Sequence, residues 1–171
     1  MGRKPHLRDI SMINTDITSG GVNSYASDED LASFAELRGI ELPEKLSPLL
    51  IKAMDYLEGL DWAGAKAEPR QPLAWPRVNV ILDGHDLPSD EIPRPVITAQ
   101  CMLAVEAMDG DLLASAREAA VKTERVEGAV TMTYAVADGE VFTPSYPAVM
   151  AILGYLAGGR GYAINSFAER A

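Results

Sequence analysis

The sequence predicts a mainly α-helical domain with β-hairpins, an α+β fold arranged as a small helical bundle behind an extended N-terminal arm. Three segments, at residues 28–38, 47–59 and 94–108, repeat apolar residues at helical spacing, and each begins at a capping or proline signal. After residue 120 the period changes to the alternation that is typical of strands. Hydrophobic residues make up 47% of the 171 residues, enough for a core without disulfides or metals.

The first helix has clear start and stop signals. Ser27 is a good N-cap, and Asp28, Glu29 and Asp30 place negative charge where the helix dipole favours it. Gly39 is expected to end the helix. The face that would pack on the core consists of Leu31, Phe34, Ala35 and Leu37.

The next two helices begin at prolines. Ser47 and Pro48 start the second helix, which runs through to Gly59. The third begins near residues 93–95 and ends at the Asp-Gly pair at 109–110. Cys101 falls inside it and is expected to be a packing residue. The residues that keep the helical spacing in these two helices are Leu49, Leu50, Ala53, Met54, Leu57, Leu60, Val96, Ala99, Gln100, Leu103, Ala104 and Ala107.

Two hairpins and a short helix complete the predicted domain, which spans residues 27–157. One hairpin is expected at residues 121–134, around the Glu-Gly pair at 127–128, and another near residues 78–82, where Asp83 and Gly84 offer the turn. A short apolar helix should follow Tyr146 and Pro147.

The two ends of the chain are expected to lie outside this domain. Residues 1–26 have no sustained period, and Gly20 and Gly21 indicate a hinge, so they predict an N-terminal arm. Such an arm is either a disordered terminus or a segment that orders only on a partner. Residues 158–171 are expected to form a C-terminal tail.

The charge is unevenly distributed and argues against tight binding of nucleic acid. The formal charge is −10, and residues 27–118 carry eighteen acidic and eight basic side chains. Binding through phosphates needs clustered cations, and the one comparable cluster is Arg3, Lys4 and Arg8. An acidic protein can nevertheless line a path through which DNA slides, because repulsion prevents sticking.

The sequence carries no sign of secretion or membrane insertion. Cys101 is the single cysteine, so no internal disulfide can form, which agrees with a reducing compartment. No apolar run approaches the ~20 residues of a membrane span, and the polar N-terminus is unlike a signal peptide. We therefore expect a protein made in the cytoplasm that has no membrane partner.

No group of residues in the sequence forms a catalytic constellation. In DGHD, at residues 83–86, two carboxylates flank an imidazole, but an Asp-Gly hairpin turn explains them better than a metal site. A nucleophilic role for Cys101 would need a histidine partner, and only His6 and His85 exist. GGRG at residues 158–161 lacks the lysine and Ser/Thr of a phosphate-binding loop. We expect no enzyme activity, no metal and no cofactor.

Several short motifs together resemble one known family. They are NSYAS at residues 23–27, a helix that ends in a Leu/Trp pair, a Gly-x-Lys at 64–66, QPLAWPR at 71–77 and LPSDEIP at 87–93, followed by a long helix. This pattern resembles a family of tailed-phage and prophage proteins that carries the label DnaT-like single-stranded-DNA-binding protein. By genomic position and fold, members of that family resemble head–tail connector proteins, also called adaptor or head-completion proteins. The basic N-terminal arm is longer than the family pattern.

The resemblance implies a structural virion protein at the junction of head and tail. Connector proteins of this kind form a ring, usually twelvefold, under the portal of the capsid. The implied partners are other copies of this chain, the portal protein, a tail or tail-terminator (nozzle) protein, and DNA that passes through the channel without tight binding. The implied location is the neck of the virion.

On this interpretation the proline-rich segment at residues 71–93 is a contact loop. A loop fixed by four prolines has little conformational entropy left to lose when a contact forms. We expect Trp75 to anchor a partner and Arg77 to pair with a neighbour's carboxylate, so that Trp75 matters more to assembly than to folding. The expected interface residues are Trp75, Pro76, Arg77, Leu87, Pro88, Ile92 and Pro93.

The alternative function is a DnaT-like single-stranded-DNA-binding replication accessory protein. Exposed aromatic rings could stack on bases in such a protein. The tryptophans, however, lie beside acidic or proline-rich residues rather than in a basic groove, so anchoring in the core or in a loop is the preferred interpretation. The aromatic residues considered are Tyr25, Tyr56, Trp62, Trp75 and Tyr134.

Overall fold

The computed structural model describes residues 12–113 and 146–158, and these form four α-helices and two small antiparallel hairpins. The α+β class predicted from the sequence is confirmed. The helices are α1 (Asp28–Glu36), α2 (Ser47–Glu58), α3 (Arg94–Glu106) and α4 (Pro147–Leu153), which continues into a 3₁₀ turn (Gly154–Leu156). Strand β1 (Ala65–Lys66) pairs with β2 (Arg77–Val78), and β3 (Ile81–Leu82) pairs with β4 (His85–Asp86).

The helix ends follow the signals in the sequence. Ser27 caps α1 in a reciprocal box: the Asp30 amide donates to Ser27 Oγ at 3.1 Å, and the Ser27 amide donates to Asp30 Oδ2 at 2.8 Å. Gly39, just beyond α1, takes a positive φ of 64° that favours glycine. Prolines occupy the first turns of α2, α3 and α4.

Helix α3 is the centre of the bundle. It contacts α1, α2 and α4, and its buried face consists mainly of small and branched residues. Ala99 and Ala104 on α3, with Ala53 on α2, allow the helix axes to approach closely. The larger side chains that fill this core are fully buried: Leu31, Leu50, Leu57, Leu103, Leu153 and Leu156.

A polar side chain lies in the middle of this apolar core. Gln100 on α3 is 0% exposed, and its amide makes four hydrogen bonds. Its Oε1 accepts from the backbone amides of Tyr25 at 3.0 Å and Ala26 at 2.7 Å. Its Nε2 donates to Ser24 Oγ at 2.7 Å and to the carbonyl of Leu50 at 3.1 Å. One side chain therefore ties α2, α3 and the segment before α1 together, with no hydrogen-bonding capacity left over.

The segment before α1 is packed against the domain rather than separate from it. Val22 and the NSYAS residues Ser24, Tyr25 and Ala26 are buried. Farther out, Asn23 Oδ1 accepts from the Asn14 amide at 2.8 Å, and the Asn23 amide donates back to the Asn14 carbonyl at 2.9 Å. The domain boundary predicted at residue 26 therefore falls within packed chain. Residues 1–11 of the predicted arm lie outside the described residues.

The hairpin predicted near residues 78–82 is present. Ile81 and Leu82 pair with Asp86 and His85, and the turn residues Asp83 and Gly84 both have positive φ, 52° and 81°. Positive φ at both central positions is the requirement of a type I′ turn, which Asp-Gly satisfies. The hairpin predicted at residues 121–134 lies outside the described residues, as do residues 159–171 of the predicted tail.

We predict that Gln100→Leu strongly destabilises the protein. The substitution keeps the volume but leaves the amides of Tyr25 and Ala26 buried without partners. Each unsatisfied amide costs about 1–3 kcal/mol, so the free energy of unfolding should fall by at least about 2 kcal/mol in urea denaturation. Gln71→Leu is the matched control, because Gln71 is only half-buried and water can replace its bonds. Equal losses for the two variants would contradict the central role of Gln100.

Candidate partner-binding surface

The first half of the loop at residues 71–93 is held by a tyrosine and a glutamate. The Tyr25 hydroxyl donates to Glu58 Oε1 at the end of α2 and accepts from the Trp75 amide at 3.1 Å. The Glu58 carboxylate also accepts from the Ala74 amide, at 2.9 and 3.1 Å. Burial, with the nearby charge of Glu58, raises the pKa of Tyr25 far above its ordinary value. The hydroxyl therefore keeps the proton that it donates.

Trp75, expected from the sequence to anchor a partner, lies inside its own subunit. Its side chain is 1% exposed, and its ring meets that of Trp62 edge to face, with centroids 5.6 Å apart. Trp62 in turn donates from Nε1 to the Leu57 carbonyl at 3.0 Å. In the described structure the Trp75 indole stabilises the loop from within the subunit, and its contact with a partner stays a prediction.

The Arg77 guanidinium connects two backbone segments of the same subunit. Its Nε donates to the Ala63 carbonyl, Nη1 to the Ala74 carbonyl at 3.0 Å, and Nη2 to the Gly64 carbonyl at 2.9 Å. These bonds connect the end of the loop to the segment that leads into β1. The planar five-donor geometry of arginine suits this arrangement, which lysine cannot reproduce. The expected pairing of Arg77 with a neighbour's carboxylate must compete with these bonds.

Gly64 is required where these two segments approach. Its φ is +67°, and a Cβ added there would lie 2.2 Å from the Val78 carbonyl oxygen and 2.7 Å from Val80 Cγ2. No side chain fits at those distances. The glycine therefore permits the pairing of β1 with β2 and places its own carbonyl within reach of Arg77.

The remaining expected interface residues differ in exposure. Leu87 and Ile92 are half-buried against the core, and the Leu87 amide donates to the Val80 carbonyl at 2.9 Å. Pro93 is buried and precedes the first residue of α3, whereas Pro88 is exposed and Pro76 is half-buried. Pro88, Leu87 and Ile92 thus offer accessible surface, and their contact with a partner stays a prediction.

The hairpin at residues 81–86 exposes all of its residues except Leu82, which is half-buried. Ile81 is 63% exposed, and Asp83, His85 and Asp86 around it are exposed too. The sequence interpretation missed Ile81 as a surface residue. The Asp-Gly turn at residues 83–84 could have predicted this exposure, because it fixes where the strand ends. Side chains alternate along a strand, so Val80 and Leu82 point inward and Ile81 points outward.

A groove between α1 and α3 forms a second surface feature. Its volume is about 330 Å³, and both apolar and basic side chains line it. Cys101 lines its buried side, where burial raises the pKa of the thiol to about 12, as suits a packing residue. The groove, called the α1–α3 groove below, is lined by Asp30, Ser33, Phe34, Leu37, Arg38, Arg94, Ile97, Thr98 and Cys101.

The described surface is acidic, and its aromatic rings are largely inside. Residues 12–113 and 146–158 carry eighteen acidic and seven basic side chains. The four described aromatic residues weighed as base-stacking platforms are all buried, which confirms the core interpretation for them; Tyr134 lies outside the described residues. Tyr155, at 85% exposure, is the one fully exposed aromatic ring in the described part of the chain.

Two further structural findings concern metals and membranes. Within the described ranges, no three His, Cys, Asp or Glu side chains are grouped so that they could hold a metal ion. The helices described above are all too short, or too polar, to cross a bilayer.

Comparison with known proteins gives one match. A protein-family model described as "Putative DnaT-like ssDNA binding protein" matches residues 10–171. No curated protein and no solved structure matches the chain. The match confirms the DnaT-like part of the resemblance seen in the motifs.

We predict that Trp75→Ala destabilises the free chain. Truncating a fully buried tryptophan typically removes about 3–5 kcal/mol of unfolding free energy, through lost burial and the cavity that remains. Ile81→Ala, in the same loop but largely exposed, should change it by no more than about 0.5 kcal/mol. Thermal and urea melts of both variants test this. A Trp75→Ala chain as stable as the wild type would return Trp75 to an interface role.

Alanine substitutions at two glycines, Gly84 in the loop and Gly64 in the segment before β1, distinguish the cost of backbone strain from that of steric clash. Gly84→Ala places a side chain at positive φ in open space, so it should cost about 1–2 kcal/mol. Gly64→Ala has similar backbone strain and also meets Val78 and Val80, which should add about 1–3 kcal/mol. Urea denaturation of the two variants measures the difference. Equal costs for the two variants would mean that the backbone at residue 64 shifts freely, contrary to its close approach to Val78 and Val80.

Proposed function

The chain belongs to the family described as DnaT-like single-stranded-DNA-binding proteins, and we propose that it is a structural subunit of a tailed-phage head–tail connector. In this role identical copies form a ring under the portal and join the capsid to the tail. The proposal concerns assembly and includes no catalytic step.

The observation that carries the proposal is the acidic surface combined with buried aromatic rings. Tight binding of single strands needs a basic groove with rings on which bases stack. The described residues offer eighteen acidic against seven basic side chains, and Trp62 and Trp75 are engaged with each other in the core. Such a surface repels a phosphate backbone. Repulsion suits a channel through which DNA must pass without sticking.

The internal cross-links support the same role. Hydrogen bonds from Gln100 fix the segment before α1 to α3. Glu58 fixes the loop backbone to α2, and Arg77 fixes the loop to the segment before β1. A surface whose backbone is already fixed loses little conformational entropy when it forms the contacts between neighbouring subunits of a ring. The exposed residues of the contact loop, Pro88 and Ile81 among them, are thereby held in one arrangement.

The proposed partners follow from the position in the particle. They are further copies of this chain, the portal protein above, a tail or tail-terminator protein below, and DNA within the channel. The protein would be made in the host cytoplasm and would reside in the neck of the virion. Leu87, Pro88 and Ile92 remain candidate contact residues.

A second candidate is the single-stranded-DNA-binding role that the family description names. The basic cluster Arg3, Lys4 and Arg8 is the feature of the sequence that favours it. Three cations supply only a small part of the counterion release that tight binding requires. We therefore rank this function second.

We predict no tight binding of single-stranded DNA at physiological salt. Fluorescence anisotropy with a labelled oligonucleotide should give a dissociation constant weaker than about 10 μM, because phosphates meet net negative charge. The variant Arg3→Ala/Lys4→Ala/Arg8→Ala is the control for residual attraction by the basic cluster. Sub-micromolar binding that weakens steeply with salt, and that this variant abolishes, would favour the second candidate. In a parallel experiment, negative-stain images of portal-containing heads should gain a ring of density at the portal when the protein is added.

A further inference from the structure

We propose that the β3–β4 hairpin of one copy docks into the α1–α3 groove of the next copy. This inference rests on the proposed ring function and names the subunit contact that would build it. The partner at this surface is a second copy of the same chain. Apolar exposure and opposite charge at the two surfaces favour this contact.

The apolar parts of the two surfaces are both open to solvent. Ile81 on the hairpin is 63% exposed, and Leu37 at the groove is 84% exposed. Phe34 and Ile97 are partly buried and form the rest of the apolar lining. A groove of about 330 Å³ has room for one aliphatic side chain and part of its backbone. Insertion of Ile81 would remove apolar surface from water on both sides.

The charges at the two surfaces are opposite. Asp83 and Asp86 lie beside Ile81 on the exposed hairpin, whereas Arg38 and Arg94 line the groove. These two arginines belong to a set of only seven basic side chains in the described residues. The rest of the described surface is mainly acidic, so few places on it attract an acidic hairpin. The basic groove therefore both attracts the hairpin and determines the orientation in which the neighbouring copy binds.

Both arginines are available for a contact. The Arg38 guanidinium lies over the Phe34 ring at 3.7 Å from its centroid, and Nη1 donates to the Phe34 carbonyl at 3.1 Å, which holds the charge at the groove. Arg94, at the start of α3, is exposed and has no hydrogen bond or ion pair among the described residues. Its charge can meet a carboxylate without breaking an existing bond.

Asp30 is the one acidic residue that lines the groove, and its carboxylate is already occupied. Its Oδ2 accepts from the Ser27 amide at 2.8 Å and from Ser27 Oγ at 2.9 Å, as part of the cap of α1. It also lies where the helix dipole favours negative charge. The two arginines outnumber this one carboxylate, so the groove lining keeps a net positive charge towards the hairpin of a neighbour.

The hairpin and the groove are different patches of the same chain, so the contact is head to tail. Head-to-tail contacts continue from copy to copy and close into rings when the rotation permits. A two-fold dimer would instead use one patch on both copies. This difference gives the proposal a direct test.

Cysteine cross-linking tests the contact. The double variant Ile81→Cys/Leu37→Cys, oxidised at high protein concentration, should give a ladder of species beyond the dimer on a non-reducing gel. Either single variant should give no ladder. Cys101 should not interfere, because it is buried. A pattern that stops at dimers, or no cross-linking at all, overturns the head-to-tail contact.

Charge reversal tests the electrostatic part. Arg94→Glu and Asp86→Lys should each weaken self-association by about tenfold or more in light scattering, because each places like charges together. The chain that carries both substitutions should regain assembly. Lys66→Glu, an exposed cation on β1 outside the groove, is the matched control and should have little effect. Failure of the double substitution to restore assembly overturns the pairing.

These outcomes separate the two levels of the proposal. If rings still form at portals while cross-linking and charge reversal give negative results, the docking contact is wrong and the connector function stands. If the wild-type chain binds single strands tightly and adds no ring to portals, the connector function fails, and the inference fails with it.

Discussion

The buried amide of Gln100 is the interaction on which the described structure depends. Apolar packing alone would let α2 and α3 slide against the segment that leads into α1, because contacts among alanine and leucine side chains are weakly directional. Four hydrogen bonds from one side chain set a single arrangement of these three parts. In a low-dielectric core each bond is strong when made and costly when lost, so a register that breaks them is strongly disfavoured.

The contact loop inherits its position from this amide. Gln100 fixes the backbone of Tyr25, and the hydroxyl of the same tyrosine reaches Glu58 and the Trp75 amide. Trp75 then packs on Trp62, and Arg77 returns to the carbonyls of the Trp62 region. The surface hairpin is thus connected to the centre of the bundle by a continuous series of directed contacts. The NSYAS and WPR motifs, far apart in sequence, are the two ends of that series.

Local features of the fold could be predicted from the sequence, whereas its long-range polar contacts could not. The cap at Ser27, the helix starts at prolines and the Asp-Gly turn each depend on residues that are close together in the sequence, so local sequence patterns predict them. Helical spacing places Gln100 on the same face of α3 as the apolar residues. Its bond to Tyr25 spans 75 positions, however, and no local pattern predicts a partner so far away. Arg77 and Trp75 were assigned to a partner because a proline-rich segment suggests a surface loop. In the described structure the Trp75 ring packs on Trp62, and the Arg77 guanidinium donates to the carbonyls of residues 63 and 64.

The edge-to-face contact of Trp62 and Trp75 also makes intrinsic tryptophan fluorescence a probe of the contact loop. Trp62 and Trp75 are the only tryptophans in the chain; Trp75 belongs to the contact loop, and Trp62 packs against it. The Trp75 indole nitrogen is buried and has no hydrogen-bond partner among residues 12–113 and 146–158. The emission of Trp75 should therefore be strongly blue-shifted in the native state and move to longer wavelength when water enters. Intrinsic fluorescence therefore follows the release of the loop, while circular dichroism follows the helices. Coincident transitions would mean that loop and bundle melt as one cooperative unit.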